Sequence, residues 1–235
     1  MNETYMMCVT PSSFIGGDRA FVQLTFNNLD FSVQDENLIF QFYAILSSFP
    51  HSGPSNAQNE VILVKGAGFH TTAQVYCSLN KTEVPAIEVT ENRIKCPMVW
   101  PGKDMHQTGS VKFGISFDGS WTDFGNFFYY TQIELDDVYP RYGPADGHGI
   151  ITLYGAKFRD DFPNAELGCK IGENIGQGQL IDQNTVRCVV EHMDLVNEGE
   201  VLPVLIALNS YSWVGERSNK RLLSERDFGY VPYGI

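Results

Sequence analysis

The chain has 235 residues, of which 43% are hydrophobic and 19% are charged, a composition that supports packed cores and excludes a largely disordered polypeptide. Its formal net charge of −12 repels phosphate backbones and anionic lipid headgroups, so the expected partner is a protein or a carbohydrate and not a nucleic acid. No apolar run reaches the ~18–20 residues of a membrane span, so we expect no direct membrane insertion of this fragment.

Alternating apolar and polar side chains occur along the whole chain, and no amphipathic helical stretch exceeds two turns. In chain order, the clearest alternating segments are residues 22–26, 73–79, 111–117 and 167–171. Side chains of a strand point to opposite faces of the sheet in turn, which is the pattern of a half-buried strand. Gly and Pro interrupt the segments about every ten residues. The sequence therefore predicts an all-β fold.

A unit of about 90 residues is repeated along the chain. The aromatic-Pro-x-x-Gly-Pro segment at residues 49–54 returns at 139–144. The Gly-Ala-x-Phe box at residues 66–69 returns at 155–158, which is 89 positions later (155 minus 66). We expect the first Gly of each box to permit close approach of a neighbouring strand, and the Phe to close one end of a core.

The repeat predicts three modules with boundaries near residues 44 and 131. Residues 1–44 would be the C-terminal half of a module, 45–131 a complete module, and 132–235 a complete module with a lengthened last hairpin loop. We expect further modules of the same chain on both sides of this fragment. Connections this short favour a stiff rod over a flexible string.

The cysteines repeat with the modules. Cys77 and Cys96 are 19 positions apart, and so are Cys169 and Cys188, which leaves Cys8 without a partner of its own. This spacing suggests two intramodule disulfides. The main alternative is a set of reduced, buried core cysteines in a cytosolic protein. Zinc binding and a catalytic thiol are both disfavoured, because no C-x-x-C spacing or close cluster of histidines is present.

The order of these elements resembles a known module. Aromatic-Pro-x-x-Gly-Pro, a β-run into Gly-x-x-Phe, a cysteine strand, a short strand that ends in cysteine and a closing Phe-x-Tyr are similar to the IPT/TIG domain. The resemblance covers two complete modules and half of a third. It implies tandem immunoglobulin-like (E-set) β-sandwiches arranged as a rod.

Within that family, the paired cysteines and tandem copies most resemble the ectodomains of plexins, the hepatocyte growth factor receptor and fibrocystin-like proteins. The Rel-type transcription factors of the family use a basic DNA-contacting loop, which this acidic chain lacks. The resemblance implies a place outside the cell or at its surface.

We expect no catalytic residue, no metal and no cofactor. The five histidines, at positions 51, 70, 106, 148 and 192, lie in or beside predicted turns, and no Ser-His-Asp or Cys-His arrangement is apparent. The carboxylate pairs at residues 136–137 and 160–161 lack the alternating oxygen ligands of a calcium loop.

Two kinds of surface site remain as candidates. Asn2 and Asn80 each begin an N-x-Thr triplet, the acceptor pattern for N-glycosylation. The polar loop at residues 215–226 is either a tolerated insertion or a partner contact. Its basic residues are the candidate contacts: Arg217, Lys220, Arg221 and Arg226.

The leading hypothesis is a non-catalytic interaction or structural fragment of a multi-module cell-surface protein, active in adhesion, ligand recognition or spacing. One alternative is an intracellular ciliary or cytoskeletal scaffold of the same modules with reduced cysteines. Another is a set of accessory modules of a carbohydrate-active enzyme.

Overall fold

The computed structural model describes residues 6–11, 15–56, 60–71, 74–80, 82–99, 108–117, 119–144, 148–190, 202–215 and 229–233. Every regular element among these residues is a β-strand, so the predicted all-β fold is confirmed. In the described part of the chain, no helix has the length and apolar character needed to cross a membrane.

The strands in chain order are β1 (Arg19–Phe21), β2 (Ile39–Gln41), β3 (Ala44–Phe49), β4 (Ser52–Pro54), β5 (Val61–Ala67), β6 (Val75–Leu79), β7 (Thr82–Pro85), β8 (Glu88–Thr90), β9 (Arg93–Pro97), β10 (Gly109–Phe117), β11 (Ser120–Tyr130), β12 (Glu134–Tyr139), β13 (Tyr142–Pro144), β14 (Gly149–Ala156), β15 (Gly168–Ile171), β16 (Asn174–Asp182), β17 (Thr185–Val190), β18 (Leu202–Ala207) and β19 (Gly229–Tyr233).

Strands β3 to β11 form the first sandwich. One of its sheets has the order β3-β5-β9-β8 and the other has the order β4-β11-β10-β6-β7. The pairs are antiparallel except for β4, which runs parallel to β11. Side chains that alternate along these strands meet between the two sheets, which is the packing of an immunoglobulin-like domain.

Strands β12 to β19 form the second sandwich, with the same strand order. One sheet is β12-β14-β17-β16 and the other is β13-β19-β18-β15-β16, and the short β13 again runs parallel to the last strand. The long strand β16 pairs with β15 through its first half and with β17 through its second half, so it belongs to both sheets. In the first sandwich, two separate strands, β7 and β8, have these two roles.

Each sandwich has its own hydrophobic core, and the two cores meet at adjacent residues. Tyr129 packs in the core of the first sandwich and Tyr130 in the core of the second. Both side chains are almost fully buried, because successive side chains of β11 point to opposite sides of the strand. The last residues of β11 therefore anchor both cores.

The Gly-Ala-x-Phe boxes have the role that the sequence predicts. Phe69 and Phe158 are 1% and 2% exposed and lie against the glycine of their own box. A Cβ atom on Gly66 would collide with the Ala44 carbonyl oxygen and with the Phe69 ring. A Cβ atom on Gly155 would collide in the same way with Phe158 and with the preceding edge strand. Glycine is therefore required where the Phe ring and the edge strand both press on the backbone.

The strand predicted at residues 22–26 is wrong. The regular strand β1 ends at Phe21, and the side chain of Phe26 is 94% exposed. The alternating pattern fails here because, among the described residues, no second sheet packs on the β1–β2 hairpin and provides a core for it. The assignment of residues 1–44 to half of a module stays a prediction.

Replacing Phe69 with Ala should destabilise the first sandwich by about 3–5 kcal/mol, because the substitution leaves a cavity at the end of the core. Urea unfolding followed by circular dichroism measures the loss. The control is Leu46→Ala on β3, where the side chain is 72% exposed and the expected change is within about 0.5 kcal/mol. Equal effects of the two substitutions would contradict the assigned role of Phe69.

Candidate interaction sites and the junction between the sandwiches

A disulfide bond lies inside each sandwich. Cys77 on β6 is joined to Cys96 on β9, with Cα atoms 5.7 Å apart, and Cys169 on β15 is joined to Cys188 on β17, with Cα atoms 6.1 Å apart. All four residues are fully buried. Because the two strands of each pair belong to opposite sheets, each disulfide ties one sheet to the other. Cys8 is exposed and is not part of a disulfide.

The two sandwiches are joined by a buried polar contact centred on Asn209. Its Nδ2 atom donates a hydrogen bond to the carbonyl oxygen of Ser52 in the first sandwich, at 2.6 Å, and another to Ser212 Oγ, at 3.1 Å. Its Oδ1 atom accepts hydrogen bonds from the backbone N–H groups of Tyr211 and Ser212. Asn209 therefore both shapes its own loop and fastens that loop to the other sandwich.

A carboxylate completes this contact. The Ser212 hydroxyl donates a hydrogen bond of 2.5 Å to Oε2 of Glu60, which precedes β5 in the first sandwich. Burial raises the pKa of Glu60, and the hydrogen bond from Ser212 lowers it by less. Burial also raises the pKa of Tyr130, whose phenol therefore stays neutral. We call Ser52, Glu60, Asn209 and Ser212 the junction cluster.

Aromatic contacts surround the junction cluster. Phe49 of β3 makes an edge contact with Tyr211, with ring centroids 5.5 Å apart. Phe128 of β11 stacks on Phe162 at 5.0 Å, and the Arg159 guanidinium lies 5.6 Å from the Phe128 centroid. Apolar rings and hydrogen bonds thus cross the junction together, which restricts the relative motion of the two sandwiches.

The N-terminal segment meets the first sandwich through side-chain hydrogen bonds and one close backbone approach. The Gln41 side chain donates to the carbonyl oxygen of Gly68 at 2.9 Å, and the Tyr43 hydroxyl is 2.9 Å from the hydroxyl of Thr122. Gly68 has a φ of 73°, and a Cβ atom there would collide with the backbone of Gly17. Glycine is therefore needed at this contact.

The equivalent position in the second sandwich is Lys157, with a similar φ of 66°. Its Nζ atom is 2.6 Å from Glu134 Oε1, and Arg159 pairs with Asp161 at 2.6 Å. Lys157, Arg159 and Asp161 line an open cleft beside Thr131 in the connection between the sandwiches. Because both cations pair with carboxylates of the same chain, the cleft offers no isolated charge to a ligand.

The outward face of β14 and β17 is a candidate partner surface. It carries Ile150 beside Val189 and Thr152 beside Arg187, and Tyr154 extends the row along β14. Tyr154 is 42% exposed and Ile150 is 57% exposed. Arg187 forms no ion pair with any residue that the structure describes.

The same face of the first sandwich is different. There, Glu88 forms ion pairs with both Arg93 and Lys95 on the neighbouring strand. The positive charges of β9 are thus compensated within the sandwich, and they lower the pKa of Glu88 through hydrogen bonds from Lys95 and Arg93. The two sandwiches therefore share a fold, but the charges on this face are arranged differently.

The predicted surface sites fall partly within the described residues. Asn80 is exposed in the turn between β6 and β7, with a positive φ of 50°. Asn2 lies outside the described residues, and so do the candidate contacts of the basic loop: Arg217, Lys220, Arg221 and Arg226. Among the described residues, no group of three or more His, Cys, Asp or Glu side chains is arranged to hold a metal ion.

Sequence reasoning missed the junction cluster. Asn209 lies two residues after the end of β18, and an Asn followed by Ser three positions later signals a local turn. That signal gives the loop conformation but not its partners, because Ser52 and Glu60 lie 157 and 152 positions away.

Comparison with known proteins gives one family and several similar proteins. The pattern of the IPT/TIG domain matches residues 44–129. Fibrocystin-L of Mus musculus is 27% identical over 118 residues, which are 50% of this chain and 3% of fibrocystin-L. The chain thus spans only a small part of that relative.

Two solved structures are similar at low sequence identity. The plexin A4 extracellular region has a TM-score of 0.45 at 14% identity, over 92% of this chain and 18% of that chain. A surface glycan-binding protein of Prevotella bryantii has a TM-score of 0.29 at 11% identity, over 86% of this chain and 42% of that chain.

The disulfides can be checked by peptide mapping without reduction. Protein secreted through an oxidising compartment should yield linked peptides for both buried pairs, Cys77–Cys96 and Cys169–Cys188, with Cys8 as the free thiol. Loss of either bond should cost about 3 kcal/mol of stability, since each closes a loop of about 20 residues. Free thiols at the four buried positions in native material would contradict the assignment.

Proposed function

We propose that this chain is a non-catalytic spacing and interaction unit of a multi-module cell-surface protein. The proposal starts from the match of residues 44–129 to the IPT/TIG domain. The observation that carries the proposal is the junction between the sandwiches. Hydrogen bonds and ring contacts cross it on the sides of both β3 and β11. A pair of modules held in this way transmits a fixed orientation from one end to the other.

A spacing role needs a connection that cannot swivel. The two cores are anchored by adjacent residues of one strand, Tyr129 and Tyr130, so no free linker separates them. Asn209 and Ser212 add contacts away from that strand. Two separate points of attachment resist both bending and twisting, whereas a single covalent connection resists neither.

The extracellular part of the proposal is supported by the disulfides. Each one crosses a core and ties its two sheets, and such bonds form and persist in oxidising compartments. An intracellular scaffold would instead keep four buried thiols. We propose the module layout 1–44, 45–131 and 132–235, with further modules of the parent chain on both sides.

The partner of the unit is proposed to be a protein or a carbohydrate. The net charge of −12 disfavours a polyanionic partner such as nucleic acid. The outward face of β14 and β17 presents exposed tyrosine and aliphatic side chains beside Arg187, a composition that suits contact with another molecule.

Electron–electron distance measurements between two spin labels test the spacing role. With Cys8 replaced by Ser, labels at Ile87 and Ile175, which are 61% and 65% exposed in the first and second sandwiches, should give one narrow distance distribution. The double variant Tyr211→Ala, Ser212→Ala should broaden it, because the ring contact with Phe49 and the hydrogen bond to Glu60 are both removed.

Tyr142→Ala is the matched control for that experiment, since it removes an exposed tyrosine of the same sandwich that follows β12 at the end opposite to the connection. It should leave the distribution unchanged. A parent distribution as broad as that of the double variant, at mildly acidic as well as at neutral pH, would contradict the spacing role.

Glycosylation tests the extracellular assignment independently. Asn80 is exposed in a turn, so chain secreted from mammalian cells should carry an N-linked glycan there. Peptide mass before and after glycosidase treatment measures the glycan on Asn80 separately from any glycan on Asn2, and Asn80→Gln should lose it. The control is Asn92→Gln, an exposed turn asparagine outside any acceptor triplet, which should keep the parent mass shift. Secreted protein without a glycan on Asn80 would count against this site.

A further inference from the structure

The junction contains a carboxylate without a cationic partner. Glu60 reaches across to Ser212 of the second sandwich, and in the described part of the chain no Lys or Arg forms an ion pair with it. The other groups of the junction are neutral: the side chains of Asn209 and Ser212 and the phenol of Tyr130. Among the described residues, a negative charge at the boundary between the two sandwiches is therefore stabilised by a hydroxyl group and not by a cation.

The side-chain donors of Asn209 and Ser212 are already committed, and the Ser52 hydroxyl is buried without a hydrogen-bond partner among the described residues. Asn209 uses its side-chain N–H groups for the Ser52 carbonyl oxygen and for Ser212 Oγ, and the Ser212 hydroxyl hydrogen goes to Glu60. Only one hydrogen bond from a side chain thus offsets the removal of the carboxylate from water. A partly desolvated charge with so little compensation opposes the contact that holds it, whereas a neutral carboxyl group at the same position does not.

We propose that acid strengthens this junction: protonation of the Glu60 carboxyl group makes the two sandwiches pack more firmly, and ionisation loosens them. The inference rests on the proposed spacing role and adds a means of regulating it. A stiff unit at mildly acidic pH would become a more mobile one at neutral pH, without any change in the fold of either sandwich.

The direction follows from proton linkage. Burial raises the pKa of Glu60 in the assembled junction, and the Ser212 hydrogen bond lowers it by less. A carboxyl group whose pKa is raised by an interaction favours that interaction at low pH and loses the contribution as pH rises through the raised pKa. Each unit of difference in pKa between the assembled and separated states corresponds to about a tenfold change in the assembly equilibrium.

Two other carboxyl groups, those of Glu88 and Asp161, have pKa values that are shifted in the opposite direction. Hydrogen bonds from cations lower the pKa values of Glu88 and Asp161, so those two carboxyl groups lose their contribution only as pH falls further. Both lie in ion pairs within a single sandwich, with Lys95 and Arg159 respectively. They therefore do not produce a firmer junction on mild acidification.

The spin-labelled protein described above tests the proposal at about pH 7.5 and about pH 5. The parent distance distribution should narrow on acidification. Glu60→Gln, which is neutral and of similar shape, should give the narrow distribution at both pH values. Glu83→Gln, at an exposed carboxylate on β7 of the same sandwich, should keep the pH response of the parent.

A direct titration supplies the second measurement. The carboxyl carbon shift of Glu60 should change at a pH above the ordinary range of a glutamate, because burial raises its pKa, and Ser212→Ala should move the midpoint higher still. A Glu60 midpoint within the ordinary range of a glutamate would overturn the proposal.

The outcomes distinguish a failure of the acid response from a failure of the spacing role. A parent distribution that is narrow at both pH values, with Glu60→Gln identical to it, overturns the acid response and leaves the spacing role standing. A parent distribution that is broad at both pH values, with no effect of Glu60→Gln, overturns both. A pH response that survives Glu60→Gln assigns the effect to another group and also overturns the proposal.

Discussion

The buried disulfide of each sandwich is the constraint on which the rest of the structure depends. It fixes β6 against β9 in the first sandwich and β15 against β17 in the second, and so sets the separation of the two sheets. Phe69 and Phe158 close the same cores at one end. With the sheets held, the loops that leave them have defined positions, and a loop in a defined position can form a contact with a neighbouring module.

At the junction, loops held by these rigid cores form a contact of fixed geometry between the two sandwiches. The loop after β18 carries Asn209. Its side-chain oxygen accepts hydrogen bonds within its own turn, and its side-chain nitrogen donates one to the carbonyl oxygen of Ser52 in the other sandwich. Each partner is held by a separate core, so the contact links two rigid bodies rather than two mobile loops. Glu60 adds a titratable group to the same contact, which couples the geometry of the unit to pH.

The repeat made most of the fold predictable, because every step of it is local. A window of four residues, from Gly66 to Phe69, is enough to predict the close approach of two strands. A window of about seven residues is enough to recognise a strand from its alternating side chains. The exposed segment around Phe26 shows the limit, since alternation alone does not say whether a second sheet covers the strand. The Glu60–Ser212 contact was not predictable, because it joins residues 152 positions apart and depends on the relative orientation of two modules.

Rotational diffusion measured by backbone ¹⁵N relaxation on the intact chain tests the central claim most directly. If the disulfide-tied sandwiches form one stiff unit, strands β5 and β14 report a single overall correlation time and one shared diffusion tensor at about pH 5, where the account places the firmest junction. Two independent tensors under that condition, each with the shorter correlation time of a lone sandwich, would contradict it.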